Sequence, residues 1–158
     1  MADEKKGMAA ALEILSRRDR SEAELRGKLR TKEIPDEQID MVVIRLKELR
    51  YLDDRRLAES LATAALTSGR GYGIKLALDL SRRGIPREIA DETLSRLTGE
   101  FDQRELVREL LLRKFPNFAV TVADNREKAR VINYLLRRGF SYSAVFDALK
   151  ARSTDFTD

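Results

Sequence analysis

The sequence predicts an all-α protein of three tandem three-helix repeats, and three observations carry that reading. One short phrase is written three times: Lys32-Glu33-Ile34-Pro35, Arg83-Gly84-Ile85-Pro86 and Arg138-Gly139-Phe140-Ser141. Each copy is a base, a turn residue, a hydrophobe and a Pro or Ser. Aligned on Ile34, Ile85 and Phe140, hydrophobes recur nine residues earlier (Leu25, Leu76, Val131), five earlier (Leu29, Leu80, Leu135) and nine later (Val43, Leu94, Leu149). Offsets of four between paired hydrophobes are helical, so the phrase marks a turn between two helices. Pro is rare and aromatics are only 6% of the chain, which leaves a sheet little support. The anchors lie 51 and 55 residues apart, room for three short helices per repeat. Such repeats are expected to stack into an elongated, curved array, an architecture that usually serves binding.

The expected divisions are a disordered tail over 1–7, repeats over 8–50, 51–99 and 100–152, and a C-terminal tail over 153–158. In the first repeat Met8, Leu12 and Leu15 form the apolar stripe of a helix that frays into Arg17-Arg18-Asp19-Arg20. Ser21 with Glu24 three residues on is a capping box that starts the second helix, which buries Leu25 and Leu29. Pro35 fixes the entry to the third, whose inward face is Ile39, Val42, Val43, Leu46 and Leu49.

The second repeat opens at Tyr51-Leu52-Asp53-Asp54, with Asp53 as N-cap and both carboxylates where a helix N-terminus favours negative charge. Leu57, Leu61, Ala65 and Leu66 continue the apolar face until Gly69-Arg70-Gly71-Tyr72-Gly73 breaks it. Leu76, Leu78 and Leu80 follow; Gly84 stops that helix and Pro86 opens the next, with Ile89, Leu94 and Leu97. In the third repeat Leu106, Leu110 and Leu111 lie on a helix ending at Phe115-Pro116, and the β-branched stretch 117–123 reads as a loop. Asp124 with Glu127 caps the next helix, where Val131, Ile132 and Leu135 face inward. Gly139 ends it, Ser141 caps the last, and Val145, Ala148 and Leu149 complete the core.

The chemistry available is narrow. The 158 residues contain no Cys and no His, which removes thiol nucleophiles, disulfides, imidazole acid–base work and nearly all zinc sites. Only carboxylate-based hydrolysis or phosphate chemistry would remain to an enzyme, so no catalytic residue, metal or cofactor is expected. No apolar run reaches the length of a membrane span and the start lacks a signal-peptide core, so a cytoplasmic protein with no membrane partner is expected. Charged residues make up 37% of the chain and the net charge is +4, spread along the thirds of the sequence as +1, +1 and +2 with no basic tail. Bulk charge of that size does not demand a nucleic-acid partner; arrangement in space must supply it.

Three features invite a functional reading. Asp53-Asp54 is an adjacent acid pair, but paired acids for hydrolysis or metal work converge from separate elements, and capping is the better reading. Gly69-Arg70-Gly71-Tyr72-Gly73 follows a helix instead of a strand and lacks the Gly-Lys-Ser/Thr ending of a phosphate loop. As a mobile turn it still offers Arg70, Tyr72 and Lys75 as a cation–aromatic–cation contact for a partner or single strand. The Arg pairs Arg17-Arg18, Arg82-Arg83 and Arg137-Arg138 stand at helix C-termini, where the dipole favours cations by about 0.3–1 kcal/mol each. Two of the three pairs hold the same step of the repeat, with Lys32 matching, so in a curved stack they would form a basic stripe. Arg20, beside the first pair, extends it. Helices that open with Asp36-Glu37, Arg87-Glu88 and Tyr142-Ser143 do not suit sequence-specific duplex reading.

With these residues laid out, the chain resembles the RecX family of recombination regulators from about Met8 to Leu149. The resemblance rests on the run Leu15-Ser16-Arg17-Arg18-Asp19-Arg20-Ser21-Glu22-Ala23-Glu24-Leu25, on Tyr51-Leu52-Asp53-Asp54-Arg55-Arg56-Leu57-Ala58, on Arg82-Arg83-Gly84-Ile85 and on Leu136-Arg137-Arg138-Gly139-Phe140-Ser141. It implies a fold of three three-helix repeats and a protein, expected to be a monomer, that lies along the groove of the RecA filament on single-stranded DNA. It further implies restraint of RecA ATP hydrolysis, strand exchange and coprotease activity, with single- or double-stranded DNA as a second partner. Glu33 and Arg50 depart from the family, which commonly has Gly there, as does Leu57, where Phe is common. The alternatives are a free-standing, sequence-nonspecific nucleic-acid-binding repeat protein and a passive helical scaffold.

Overall fold

The computed structural model describes residues 2–154, and among these it contains nine helices and no strand. The first three are α1 (Ala2–Arg17), α2 (Glu22–Thr31) and α3 (Asp36–Glu48). The next are α4 (Asp54–Ser68), α5 (Gly73–Arg82) and α6 (Arg87–Glu100), and the last are α7 (Gln103–Lys114), α8 (Asn125–Arg137) and α9 (Tyr142–Thr154). Three helices therefore fall in each expected repeat.

The chain divides into two compact units, Met1–Leu61 with Asp79–Thr93 and Ala62–Leu78 with Leu94–Asp158. These do not follow the repeats. Each helix of the middle repeat (α4, α5 and α6) gives one part to each unit.

In the first unit α1, α2 and α3 pack on one another around Leu25, Leu29, Ile39, Val43 and Leu46, with Ile34 and Leu52 closing the ends. The face of α1 that turns inward is Gly7, Ala11 and Ile14; Met8 and Leu15 flank it and Leu12 is exposed. The stripe is thus rotated by about one residue from Met8, Leu12 and Leu15. Gly7 explains the rotation, because a Cβ there would lie 3.3 Å from Val42 Cγ2 and 3.6 Å from Ile34 Cγ2. A bare helix surface lets α1 approach α3 closely. The helix also runs back to Ala2, through the segment expected to be a tail. Leu49 is likewise exposed and not part of the inward face of α3.

In the second unit α7 and α8 both pack against α9. Leu106, Val107, Leu110 and Leu111 of α7, Val131 and Leu135 of α8, and Val145, Ala148 and Leu149 of α9 are buried. Phe118 anchors the 115–124 linker in the interior. The α9 helix continues through Ser153 and Thr154, past the point where a tail was expected; residues 155–158 and Met1 lie outside the described residues. Leu78 of α5 is exposed, unlike its neighbours Leu76 and Leu80.

The caps follow the sequence. Ser21 and Glu24 form the full capping box, each side chain accepting from the other's main-chain N–H at 3.1 Å. Asp53 accepts from Arg56 N–H at 3.1 Å, Asp124 from Glu127 N–H at 2.8 Å, and Ser141 from Ala144 N–H at 3.1 Å. Asp54 does something different from its neighbour: it accepts the N–H of Glu22 at 2.9 Å and so satisfies the first turn of α2. Burial pushes the Asp54 carboxyl above its ordinary value.

Candidate functional site

Two of the three copies of the phrase, those at Arg83-Gly84 and Arg138-Gly139, form joints between repeats. In the first unit the end of α5 meets the start of α2. Gly84 stands at φ 77°, and a Cβ on it would lie 2.8 Å from Ala23 Cβ and 2.9 Å from Ser21 Oγ. Only glycine both adopts that backbone and permits that approach. Arg83, one residue earlier, donates from Nε to Glu24 Oε1 at 3.1 Å and from Nη2 to the carbonyl of Asp19 at 3.3 Å. Arg18 and Arg20 reach the other oxygen of Glu24, at 3.4 and 3.5 Å. Burial pushes the Glu24 carboxyl up, but the Ser21 N–H and the Arg83 and Arg18 guanidiniums outweigh it and hold the pKa below the ordinary value.

The second unit repeats the joint one step along, where the end of α8 meets the start of α5. Gly139 stands at φ 97°, and a Cβ on it would fall 1.9 Å from the carbonyl oxygen of Tyr72. Arg138 donates from Nη1 to the carbonyl of Arg70 at 3.3 Å. Shifted by the 51-residue repeat, Asp19 becomes Arg70, Ser21 becomes Tyr72 and Glu24 becomes Lys75. The carboxylate that gathers the first joint is therefore a lysine in the second. Other interactions take its place: Tyr72 N–H donates to the Arg138 carbonyl at 2.8 Å, and the Tyr72 ring stacks on Phe140 with centroids 5.4 Å apart. The Arg138 guanidinium lies over the Tyr134 ring at 4.8 Å.

These contacts sort the site residues. In the pairs Arg82-Arg83 and Arg137-Arg138 the second member turns inward, the Arg83 side chain being 26% exposed against 77% for Arg82. Arg137 is exposed, and its Nε–H donates to the Asn133 carbonyl of its own helix at 3.3 Å. Arg17 is 74% exposed and pairs with Glu13 at 3.2 Å; Arg18 is also exposed. Lys32, which matches Arg83 in the first repeat, is exposed and lines a cleft with Arg17 and Arg20. Arg83 and Arg138 each dock onto the repeat before their own, whereas Lys32 belongs to the first.

The 69–73 segment is a packed joint and not the mobile exposed turn expected. Gly69 takes φ 68° with a Cβ position 2.9 Å from Leu110, Gly71 is buried, and Tyr72 is half-buried against Phe140. Burial and the nearby Asp102 charge push the Tyr72 phenol up. Arg70 remains exposed. Sequence reasoning missed the second duty of Glu24 as the acceptor for three arginines, a role that the alternation Glu24/Lys75 at equal repeat positions could have signalled. It also missed Lys28, one helical turn before Lys32 in the same cleft.

No described helix is long and apolar enough to cross a membrane, and no group of three or more described acids could hold a metal ion. Residues 8–46 match the family description RecX, first three-helix domain, and residues 102–149 match RecX, third three-helix domain. The regulatory protein RecX of Syntrophotalea carbinolica is 39% identical over 92% of this chain and 95% of its own. That of Trichlorobacter lovleyi is 38% identical over 83% and 85%. The crystal structure of RecX from Lactobacillus salivarius matches with a TM-score of 0.75 at 27% identity, covering 97% of this chain and 98% of that one. Sequence phrases, nine helices in three sets of three among the described residues and near-full-length relatives agree: the chain belongs to the RecX family of regulatory proteins.

Proposed function

We propose that this protein regulates the RecA recombinase by binding its filament on single-stranded DNA along the helical groove, lowering ATP hydrolysis, strand exchange and coprotease activity. It would thereby act in homologous recombination, DNA repair and the SOS response, in the cytoplasm, as a binder and not an enzyme. The observation that carries the reading is family membership over nearly the whole chain, with relatives named as regulatory proteins. The geometry refines which side chains would make contact. Arg83 and Arg138 are committed to the joints, so the outward members Arg82 and Arg137, with Arg17, Arg18 and Arg70, are the contact set. Several weak contacts made together give avidity that no single one has.

The test is a titration of the protein into RecA from the same organism, following DNA-dependent ATPase and strand exchange. The wild type should inhibit both, and Arg82→Glu/Arg137→Glu should lose at least tenfold in potency with unchanged helicity. Full inhibition by that variant would remove the outward arginines from the mechanism. Tight, steeply salt-dependent binding to DNA with no effect on RecA would instead favour a free-standing nucleic-acid binder, and neither activity would leave a scaffold.

A further inference from the structure

Within the first unit, the end of α1 and the outer face of α2 enclose a cleft of about 340 Å³. Arg17 and Arg20 line it from one side, Lys28 and Lys32 from the other, and the single carboxylate in the lining is Glu13, which pairs with Arg17. Lys28 and Lys32 are one helical turn apart on the same face, a like-charge spacing that an isolated helix disfavours. The C-terminal dipole of α2 offsets part of that cost but does not require two lysines in register.

Two further observations point outward. The Arg20 side chain is only 14% exposed, its Nη1 reaches Glu24 at the long distance of 3.5 Å, and its Nε is buried with no hydrogen-bond partner. Glu24 itself is already shared with Arg18, Arg83 and the Ser21 N–H. The buried Nε is out of reach of anything entering the cleft, but the long Nη1 contact leaves the end of the Arg20 guanidinium under-partnered beside it. Gly27 is the second observation. It stands inside α2, where glycine weakens a helix, and a Cβ there would meet nothing within 4 Å. No packing within the protein explains the missing side chain. The bare surface lies immediately before Lys28 and one turn before Thr31, whose hydroxyl bonds the Gly27 carbonyl at 3.0 Å.

We propose that this cleft is a phosphate site, taking the phosphates of a nucleotide chain, either free or within a nucleic-acid strand. Four cations against one lining carboxylate suit a group carrying more than one negative charge or two successive phosphates. The apolar Ile14 in the lining suits a sugar attached to the phosphate better than a bare ion. Gly27 lies outside the lining residues, on the same helix beside Lys28, and its bare surface leaves the rim of the cleft open to the rest of the chain that carries the phosphates. The site shares Arg17, Arg20 and Lys32 with the cations considered for filament binding, and to that extent it deepens that reading, but its test needs no RecA.

Fluorescein-labelled oligothymidylate and mant-ATP are titrated separately with the full-length protein at low salt, anisotropy being the readout. Saturable binding of either probe is expected, the strand arm and the nucleotide arm identifying the source of the phosphate. Lys28→Gln/Lys32→Gln should weaken that binding at least tenfold with an unchanged circular dichroism spectrum. Gly27→Ala should raise the melting temperature yet weaken binding severalfold, a combination that a purely structural glycine does not give. The proposal is overturned if the wild type binds neither probe, if the double lysine variant binds as the wild type does, or if a hexaglutamate peptide displaces the probe more effectively than unlabelled oligothymidylate. A Gly27→Ala protein that binds unchanged overturns the role of the open rim at that residue. Loss of probe binding with RecA inhibition intact would uphold the phosphate site and separate it from the filament contact; the reverse would sink the site and leave the filament reading standing.

Discussion

Arg138 donates to the main-chain carbonyl of Arg70 at 3.3 Å, the bond that Arg83 makes to Asp19 one repeat earlier at the same length. A bond to a main-chain oxygen does not depend on the acceptor's side chain, so it survives the change from Asp19 to Arg70. The carboxylate contact does not survive, because Lys75 stands where Glu24 would have to be. Each joint thus has a fixed part, made by arginine and glycine, and a variable part made by whatever side chains fill the N-terminal turn of the receiving helix.

The two members of an Arg pair should therefore separate cleanly in unfolding experiments. Arg83→Ala removes a half-buried ion pair and leaves Glu24 with fewer partners, and should cost about 1–3 kcal/mol in urea-induced unfolding. Arg82→Ala removes an exposed group 3.8 Å from Asp79 and should stay within about 0.5 kcal/mol. Equal losses at the two positions would contradict the joint.

The joint glycines should be intolerant, and unequally so. Gly84→Ala must push aside Ala23 Cβ and Ser21 Oγ at a positive φ, a loss of about 2–4 kcal/mol. Gly139→Ala meets a main-chain carbonyl at 1.9 Å, which cannot swing away as a side chain can, so it should cost more. Melting temperatures of the two variants measure the order directly.

The first repeat contains the opposite case. Glu33 occupies the turn position matched by Gly84 and Gly139, and it adopts φ 61°; Arg50 adopts φ 60°. An L-residue held there is strained by roughly 1 kcal/mol, partly recovered on substitution because glycine also loosens the unfolded chain. Glu33→Gly is expected to stabilise the protein by about 0.5–1 kcal/mol, read as a rise in the urea midpoint without a change in slope.

Acid should loosen the first joint. Burial raises the Glu24 carboxyl, but its hydrogen bonds and cations lower it by more, so the folded protein holds that proton less tightly than the unfolded chain does. Its contribution is complete above the ordinary value of 4.5 and is lost as the pH falls through the lowered folded value. Asp54 opposes it: burial raises its pKa above 3.8, so the stability linked to it is present at low pH and lost as the pH rises through that raised value. Glu24→Gln should lower stability at neutral pH and flatten its fall as the pH drops below the ordinary value of 4.5, measured by urea midpoints across the range.

The helices and their caps were legible because periodicity and capping are local. Ser21, Asp53, Asp124 and Ser141 act where the spacing placed them, and the phrase around Ile34, Ile85 and Phe140 marks real turns. The rotation of α1 was not legible, because it depends on Gly7 meeting Val42 across the core. Nor was the division of labour within the Arg pairs. Charge alone does not distinguish Arg82 from Arg83; the direction each takes from the helix end does. Tyr72 misled for a related reason, since its partner Phe140 is 68 residues away in sequence.

The 115–124 linker follows the first helix of its repeat as 18–21 and 69–72 follow theirs, yet it has ten residues where each of those has four. Two residues past the end of the helix, Asp19 and Arg70 each offer a carbonyl to an arginine of the following repeat. At the same step in the third repeat stands Pro116, and its carbonyl is taken at 3.0 Å by Arg152 of α9, which also holds the Phe115 carbonyl at 3.1 Å. The third repeat plugs its own socket. The arginine contact that the first two repeats take from the repeat after them is thus met in the third by its own last helix.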